Sequence, residues 1–339
     1  MKRVLFIVVC IILFFGLLYG LLLFLSRTTY PVLFGISFNQ DHAQSLGLDW
    51  KETYSAMLKD LKPQYIRIAA MWSDVEKEQG KFDFSSVDWM MDEAKKHNAK
   101  VLLVVGQKAP RWPECHVPGW ADPTKVEFTE QLTTYITKVV ERYKTHDALE
   151  LWQVENEPFI RFKFGACEKY HSAFTDDEVE LVKGIDPLHK IVVTDSGELS
   201  TWRKASGLGD IFGSTMYRIV RTPGGHIIRY DWLPAAVYRL KARLWGVGYE
   251  TYFVSELQAE PWFTASLPLD TPLTEQYETM SIDRLRDHLE FVHHTGASRA
   301  YLWGVEWWYW LKKEKKEVQY WETVKEVIEK SKELTKGQY

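Results

Sequence analysis

Several sequence patterns of common enzyme classes are missing from this chain of 339 residues. None of its ten histidines stands two positions from another, so the His-x-His spacing of a metal-dependent barrel hydrolase is absent. No Gly-x-Ser-x-Gly sequence marks a serine nucleophile, and no Gly-rich phosphate loop follows the first predicted strand. We therefore expect neither a metal nor a nucleotide cofactor.

The net charge is small and cysteines are few. The net charge is −4, which gives no indication of a nucleic-acid partner. Only three cysteines are present, and there is no repeat of 20–50 residues and no low-complexity segment. What the chain has instead is apolar and aromatic residues: 46% of it is hydrophobic, with 15 Trp, 17 Tyr and 17 Phe. This composition suits one large core, with some rings free to stack on the apolar faces of sugars.

The first 27 residues read as a membrane anchor. Residues 4–25 carry no charge, and a helix of that length spans roughly 33 Å, enough for the hydrocarbon core of a bilayer. The run is longer than the apolar region of a cleaved signal peptide, and Ser26-Arg27-Thr28 is not a small-x-small cleavage site. Lys2 and Arg3 precede it, so we expect the N-terminus in the cytoplasm and residues 28–339 outside the membrane, with the lipid bilayer as a partner.

Beyond this segment, strand-like and helix-like patterns alternate. Such alternation within about 300 residues predicts a (β/α)8 TIM barrel, an α/β fold. A doubly wound open sheet is the second possibility. The predicted strands cover residues 32–37, 64–70, 100–106, 149–155, 190–195, 210–217, 249–256 and 298–305. The main predicted helices cover residues 49–61, 85–98, 124–145, 174–186, 231–246, 274–295 and 320–335.

Two of these strands end in a glutamate, and this is the most informative pattern in the chain. The segment 150–158 reads ELWQVENEP and contains Glu157, and the segment 252–262 reads YFVSELQAEPW and contains Glu256. The ends of barrel strands meet at one face, where the chemistry of TIM barrels takes place. Two carboxyl groups there are what cleavage of a glycosidic bond needs: one protonates the leaving oxygen, and the other attacks the sugar.

The pattern resembles the clan A glycoside hydrolases, barrel enzymes that retain the anomeric configuration, over about residues 32–335. In that clan the acid/base glutamate follows an asparagine at the end of the fourth strand, as Glu157 follows Asn156, and the nucleophile ends the seventh strand, as Glu256 does. The strings PRWPECHVPGW and SELQAEPW are similar to those of uncharacterised bacterial cellulase-family proteins. The resemblance implies a retaining β-glycosidase acting on an oligo- or polysaccharide, and the N-terminal apolar run would anchor it to the membrane.

The resemblance also implies a set of substrate-binding residues. Arg67 on the second strand, Tyr217 near the end of the sixth and Trp303 on the eighth fit clan positions around the nucleophile and the first sugar subsite. Further aromatic residues fall after strands and are predicted to contact sugars. The complete predicted binding set is Arg67, Asn156, Tyr217, Trp303, Trp72, Trp112, Trp262 and Trp307.

Some alternatives stay open. Glu155 and Glu260 stand close to the predicted catalytic pair; Glu155 has the wrong offset from Pro158, and Glu260 falls in the loop after the strand. A carbohydrate-binding barrel without activity would keep the aromatic groove and lose the chemistry. A transglycosylase that remodels surface glycans would use the same residues, so the sequence cannot separate it from a hydrolase.

The last prediction concerns Cys115 and Cys167. They follow the third and fourth predicted strands, whose loops lie side by side at one face of a barrel. An extracytoplasmic location permits oxidation, so we predict a Cys115–Cys167 disulfide, with two free thiols as the alternative.

Overall fold

The computed structural model of the protein describes residues 2–161, 165–167, 169–222, 224–264 and 268–336. Eight parallel strands close into a barrel, in the spatial order β1-β10-β9-β6-β5-β4-β3-β2. The predicted TIM barrel is therefore confirmed. Its strands are β1 (Leu33–Ser37), β2 (Tyr65–Ala69), β3 (Lys100–Val105), β4 (Leu149–Val154), β5 (Lys190–Asp195), β6 (Ile211–Met216), β9 (Tyr252–Gln258) and β10 (Arg299–Trp303).

The barrel strands are apolar on both faces because both faces are covered. In β9 all seven residues are buried, and in β3 five of six are. Alternate residues point inward, where six strands contribute one layer that fills the barrel: Leu102, Leu151, Val192, Ile211, Phe253 and Tyr301. The other set packs outward against the helices in the main hydrophobic core.

The helices surround this barrel. They are α1 (Lys2–Leu25), α2 (Gln40–Ser45), α3 (Trp50–Ala56), α4 (Trp72–Val75), α5 (Ser85–Lys96), α6 (Phe128–Tyr143), α7 (Thr175–Ile185), α8 (Ala236–Leu244), α9 (Leu273–Thr279), α10 (Ile282–Val292), α11 (Val305–Trp310) and α12 (Gln319–Lys336). Two π-helical turns, Met57–Leu61 and Leu311–Lys315, extend α3 and α11.

The structure differs from the sequence-based elements in several places. The helix predicted over 274–295 is two helices, α9 and α10, because Ser281 caps a new helix by accepting a hydrogen bond from the Arg284 N–H. The charged segment 311–317, which lies outside the predicted helices and strands, begins with the π-helical turn Leu311–Lys315. The hairpin of β7 (Ile219–Arg221) and β8 (Ile227–Arg229) was not predicted; its strands are only three residues long.

The N-terminal helix α1 lies outside the barrel and is long and apolar enough to cross a membrane, with a mean hydropathy of 3.0. The linker that follows is bonded to the barrel. The Arg239 guanidinium donates to the Leu25 carbonyl (2.9 Å) and the Tyr30 hydroxyl (3.0 Å), and the Ala236 N–H donates to the Ser26 hydroxyl. The chain then enters β1 along the turn after α10, where the Tyr30 N–H donates to the His293 carbonyl.

Candidate active site

The two predicted catalytic glutamates lie at the same end of the barrel and share a neighbour. Glu256 is in β9, and Thr215 of β6 is its partner in the parallel ladder. The Thr215 hydroxyl donates a hydrogen bond of 2.8 Å to the Glu157 carboxyl group. Thr215, which is next to Glu256 in the barrel sheet, therefore bonds directly to Glu157 in the segment after β4. In a retaining glycosidase two such carboxyl groups are about 5–5.5 Å apart; we predict this separation for Glu157 and Glu256.

Glu256 has strong hydrogen-bond donors on both of its oxygens. The Arg67 guanidinium donates to one oxygen at 2.8 Å, and the Tyr217 hydroxyl donates to the other at 2.7 Å. Arg67 and Glu256 are buried, with 1% and 4% of their side chains exposed, and Tyr217 is partly buried. Charge-assisted bonds of this kind suit an ionised carboxylate that is fixed in one orientation.

The surroundings of Glu157 are different. Its backbone turns sharply, with φ of 44°, and its N–H donates to the Thr194 hydroxyl, which aims the side chain into the barrel mouth. Burial raises the pKa of its carboxyl group to about 8; the nearby Lys108 ammonium opposes this shift, while the charge of Glu256 adds to it. A carboxyl group in this setting keeps its proton at neutral pH.

Asn156 and Gln153 accept hydrogen bonds from Arg67, the same residue that donates to Glu256. The Arg67 guanidinium donates to the side-chain oxygen of Asn156 and to that of Gln153, both at 2.8 Å. Thr194 and the Gln153 amide also donate to the Asn156 oxygen. Because this oxygen is occupied, the Asn156 NH2 group is the part of the amide available to donate to a ligand.

A buried ion cluster that the sequence reasoning did not find lies near Trp303. The Arg111 guanidinium pairs with both Glu260 and Glu306, stacks 3.9 Å from the centre of the Trp303 ring, and lines a small cavity with Trp303 and Glu306. His42 also contacts Glu260, at 3.3 Å. Burial alone would raise the pKa of Glu260, but the charge of Arg111 and the contact with His42 outweigh it and lower this pKa to about 2.

This cluster contains the group of described residues best suited to hold a metal ion. Ligand atoms of His42, Glu260 and Glu306 lie within 4.8 Å of one another. The Arg111 guanidinium, however, already bonds to both carboxylates. Since it supplies the positive charge that a metal would bring, we assign no metal to this position. Glu260, the rival of Glu256 in sequence, is accounted for as a member of this ion cluster.

Glu155, the rival of Glu157, has a structural role. It is fully buried, and its two carboxylate oxygens accept hydrogen bonds from the N–H groups of Gln107 (2.6 Å) and Lys108 (2.7 Å). Burial raises its pKa to about 7. The carboxylate passes beside Gly106, which has φ of 127° and leaves no room for a Cβ atom. Glu155 thus holds the start of the loop that follows β3.

The predicted aromatic contacts divide into two groups. Trp262 is partly exposed, and its ring lies 5.7 Å from that of Tyr217; Trp112 is 76% exposed on the loop after β3. Trp72 and Trp307 were wrongly predicted to contact sugar, because both are completely buried. Their indole N–H groups donate to Glu76 and Gln276, and their rings pack among other aromatic side chains of the core.

Cys115 and Cys167 form a disulfide, as the sequence predicted, with a Cα–Cα distance of 5.3 Å. The bond joins the loop after β3 to the segment after β4, the same segment that begins with Glu157. Cys115 also pairs with Lys108 in an isolated antiparallel bridge, so the loop folds back on itself.

Known proteins are similar to this chain in sequence and in fold. Residues 41–177, which include Asn156 and Glu157, match glycosyl hydrolase family 10. β-Galactosidase BgaB of Geobacillus sp. (strain Y412MC61) is 29% identical over 139 residues, which are 35% of this chain and 20% of that protein. A β-galactosidase of an Arthrobacter species is 34% identical over 105 residues, 25% of this chain and 15% of that protein. This chain therefore matches only a fraction of the length of these relatives.

Solved structures extend the similarity to most of the chain. Gan42B, a GH42 β-galactosidase from G. stearothermophilus, superposes with a TM-score of 0.60 at 13% identity, covering 89% of this chain and 57% of its own. A GH5_18 protein from Bifidobacterium longum subsp. infantis gives a TM-score of 0.57 at 11% identity, covering 80% of this chain and 69% of its own. At these identities the likeness shows the fold. That fold is a (β/α)8 barrel, and over residues 41–177 the sequence is similar to a glycoside hydrolase family.

Proposed function

We propose that this protein is a retaining β-glycosidase in which Glu256 is the nucleophile and Glu157 the acid/base. The observation that carries the proposal is the contrast between the two carboxyl groups. Glu256 accepts hydrogen bonds from Arg67 and Tyr217, whereas Glu157 is partly buried and this burial raises its pKa to about 8. One charged and one protonated carboxyl group at one strand-end face are the requirement for this reaction.

The reaction takes place in two steps. First, a Glu256 oxygen bonds to the anomeric carbon while the bond from that carbon to the leaving oxygen breaks, and Glu157 gives its proton to that oxygen. Water then attacks the same carbon, and Glu157 takes a proton from it as the bond to Glu256 breaks. Glu256 is released as a carboxylate and Glu157 is protonated again. We expect one N–H of the Asn156 amide to donate to the sugar 2-hydroxyl.

β-Galactosides are the substrates that the comparisons favour. The relatives named above are β-galactosidases, although another structure with a TM-score of 0.54 is an exo-β-1,4-mannosidase from Opitutaceae bacterium strain TAV5. The Arg111 cluster offers both donors and acceptors beside Trp303, which suits the hydroxyl groups of a neutral sugar stacked on an aromatic ring.

The experiment is product analysis with the full-length protein in detergent, on aryl β-glycosides of galactose, glucose, mannose and xylose and on a polysaccharide panel. We expect turnover with retention of configuration, read by NMR of the first-formed anomer. Products longer than the substrate would identify a transglycosylase. Binding without turnover of any glycoside would contradict the proposal and favour a non-catalytic carbohydrate-binding barrel.

We also propose that α1 is a signal anchor and that the barrel lies outside the membrane. The proposal rests on the uncharged run 4–25 and on Lys2 and Arg3 before it. Protease added to intact cells should remove the barrel and leave the anchor. A barrel that stays protected in intact cells but is digested after lysis would contradict this orientation.

A further inference from the structure

The loop between β3 and α6 brings two charged side chains, Lys108 and Glu114, to the acid/base side of the site. Its backbone is held at both ends. The Glu155 carboxylate accepts from the Lys108 N–H at 2.7 Å, and Cys115 is bonded to Cys167. Within the loop, the Ala109 N–H donates to the Glu114 carbonyl. These contacts fix Lys108 and Glu114 relative to each other and to the segment that carries Glu157.

Lys108 is a buried cation beside the proposed acid. Only 3% of its side chain is exposed. Its ammonium donates to the backbone carbonyl of Glu157 at 3.4 Å and lies 3.9 Å from the Glu114 carboxylate. A buried ammonium needs charged or polar partners. Because Lys108 has three N–H donors, it can bond to the Glu157 carbonyl and still face the carboxyl groups of the site.

Glu114 is a third carboxyl group at this site. It is mostly buried, with 21% of its side chain exposed, and its backbone has the unusual φ of 70°. Burial raises its pKa to about 7; the charges of Lys108 and Arg67 and a hydrogen bond with the Asn156 side chain oppose the shift, and the charge of Glu256 adds to it. It therefore lies among the same residues that surround the two glutamates.

We propose that Lys108 and Glu114 are positioning residues that act through Glu157, with opposite effects on how firmly it holds its proton. The proposal rests on the function proposed above. The charged or titratable groups that face Glu157 are Lys108 and Glu114 from this loop, Glu256 from β9 and Tyr217 after β6. The positive charge of Lys108 favours the ionised form of Glu157, and the negative charge of Glu114 favours the protonated form.

The disulfide-closed loop thus sets the pH range in which Glu157 can act as an acid. The alkaline limb of kcat/KM reports loss of the proton from the essential acid of the free enzyme. Removing Lys108 should move this limb to higher pH. Removing the charge of Glu114 should move it to lower pH. Damage to the scaffold alone would not move the alkaline limb in opposite directions for two neighbouring residues.

The test compares Lys108→Met and Glu114→Gln with the wild type in pH profiles of kcat/KM on an aryl β-galactoside, or on the best substrate of the panel. We expect limb shifts of about one pH unit, upward for Lys108→Met and downward for Glu114→Gln. Lys125→Met and Glu127→Gln, exposed positions of the same connection, should leave the limb in place. If Lys108→Met does not fold, the Glu114→Gln shift decides.

Two outcomes separate failure of this inference from failure of the proposed function. If both variants lower kcat/KM equally at every pH, or leave the profile unchanged, Lys108 and Glu114 only support the loop and the inference is overturned, while Glu157 and Glu256 keep their roles. If the wild type turns over no glycoside, or Glu256→Ala retains full activity, the proposed function itself is wrong.

Discussion

The two sides of the cleft carry the same side chain in two different settings. Glu256 is held by Arg67 and Tyr217, donors that suit a negative charge. Glu157 is partly buried, receives one neutral hydrogen bond from Thr215 to its carboxyl group, and has other carboxyl groups nearby. Both glutamates lie near the C-terminal end of a barrel strand, so position along the strand does not assign their roles. The neighbours do, and those neighbours come from strands far apart in sequence.

The largest effect should come from removing the nucleophile. Glu256→Ala should lower kcat by more than about 10⁴-fold, a larger loss than removal of a general acid causes. Added azide should restore turnover of an activated aryl glycoside and give a product of inverted configuration, since azide attacks from the vacated side. Retained activity without azide would show that Glu256 is not the nucleophile.

Glu157→Ala should show the other role. With a poor leaving group kcat/KM should fall by about 10²–10⁴-fold, since proton donation is lost. With a dinitrophenyl leaving group, which leaves without a proton, the fall in the first step should be much smaller. Rates for a series of aryl leaving groups measure this dependence directly. An equal loss for every leaving group would contradict the acid role.

A smaller effect is expected for Tyr217→Phe, which removes one of the two donors to Glu256 and keeps the ring beside Trp262. Hydrogen bonds to charged groups contribute about 1.5–3 kcal/mol, so kcat should fall by roughly 10–150-fold. Tyr230→Phe, at a partly exposed tyrosine on another part of the chain, is the matched control. Full activity in Tyr217→Phe would mean that Arg67 alone is sufficient to hold the nucleophile.

The smallest effect should come from Gly106→Ala, which disturbs the contact of Glu155 with the loop after β3, on the same side of the cleft as Glu157. The new Cβ would meet the Glu155 carboxylate, and the backbone φ of 127° is unfavourable for alanine. Such strain costs about 1–3 kcal/mol, and for a chain of 339 residues each kcal/mol corresponds to roughly 1–2 °C in Tm. Calorimetry should show the decrease, whereas Gly119→Ala, with open space around the new atom, should unfold like the wild type.

The strands could be predicted from sequence because each is a short apolar run ended by polar residues. Predicted β5 (190–195) has the observed bounds, and most other strands are placed within one residue at each end. The seventh predicted strand, 249–256, is displaced, because Tyr249–Thr251 forms a 3-10 turn and the strand continues to Gln258. α11 was missed because its six residues are almost all buried and apolar, without helical periodicity.

The site was only partly predictable. Strand-end position found Glu157, Glu256 and their immediate neighbours, because barrel topology alone brings these together. It could not tell a buried tryptophan from one facing the cleft, and Trp72 and Trp307 were misassigned for that reason. Lys108 and Glu114 lie in a loop whose path depends on a disulfide and on the buried carboxylate of Glu155. No local sequence pattern therefore indicates the positions of their charged groups in the site.

The short connection between α1 and the barrel has a consequence for where the enzyme can work. A flexible linker of the same seven residues (26–32) would let the ends of the connection vary in separation by roughly 13–16 Å. Here Leu25, Ser26 and Tyr30 are bonded to the barrel, so that freedom is removed. In the proposed anchored arrangement the cleft stands at one height above the bilayer and moves sideways only with the anchor. Glycans at that height are accessible to the cleft, and longer glycans reach it only by folding back towards the membrane.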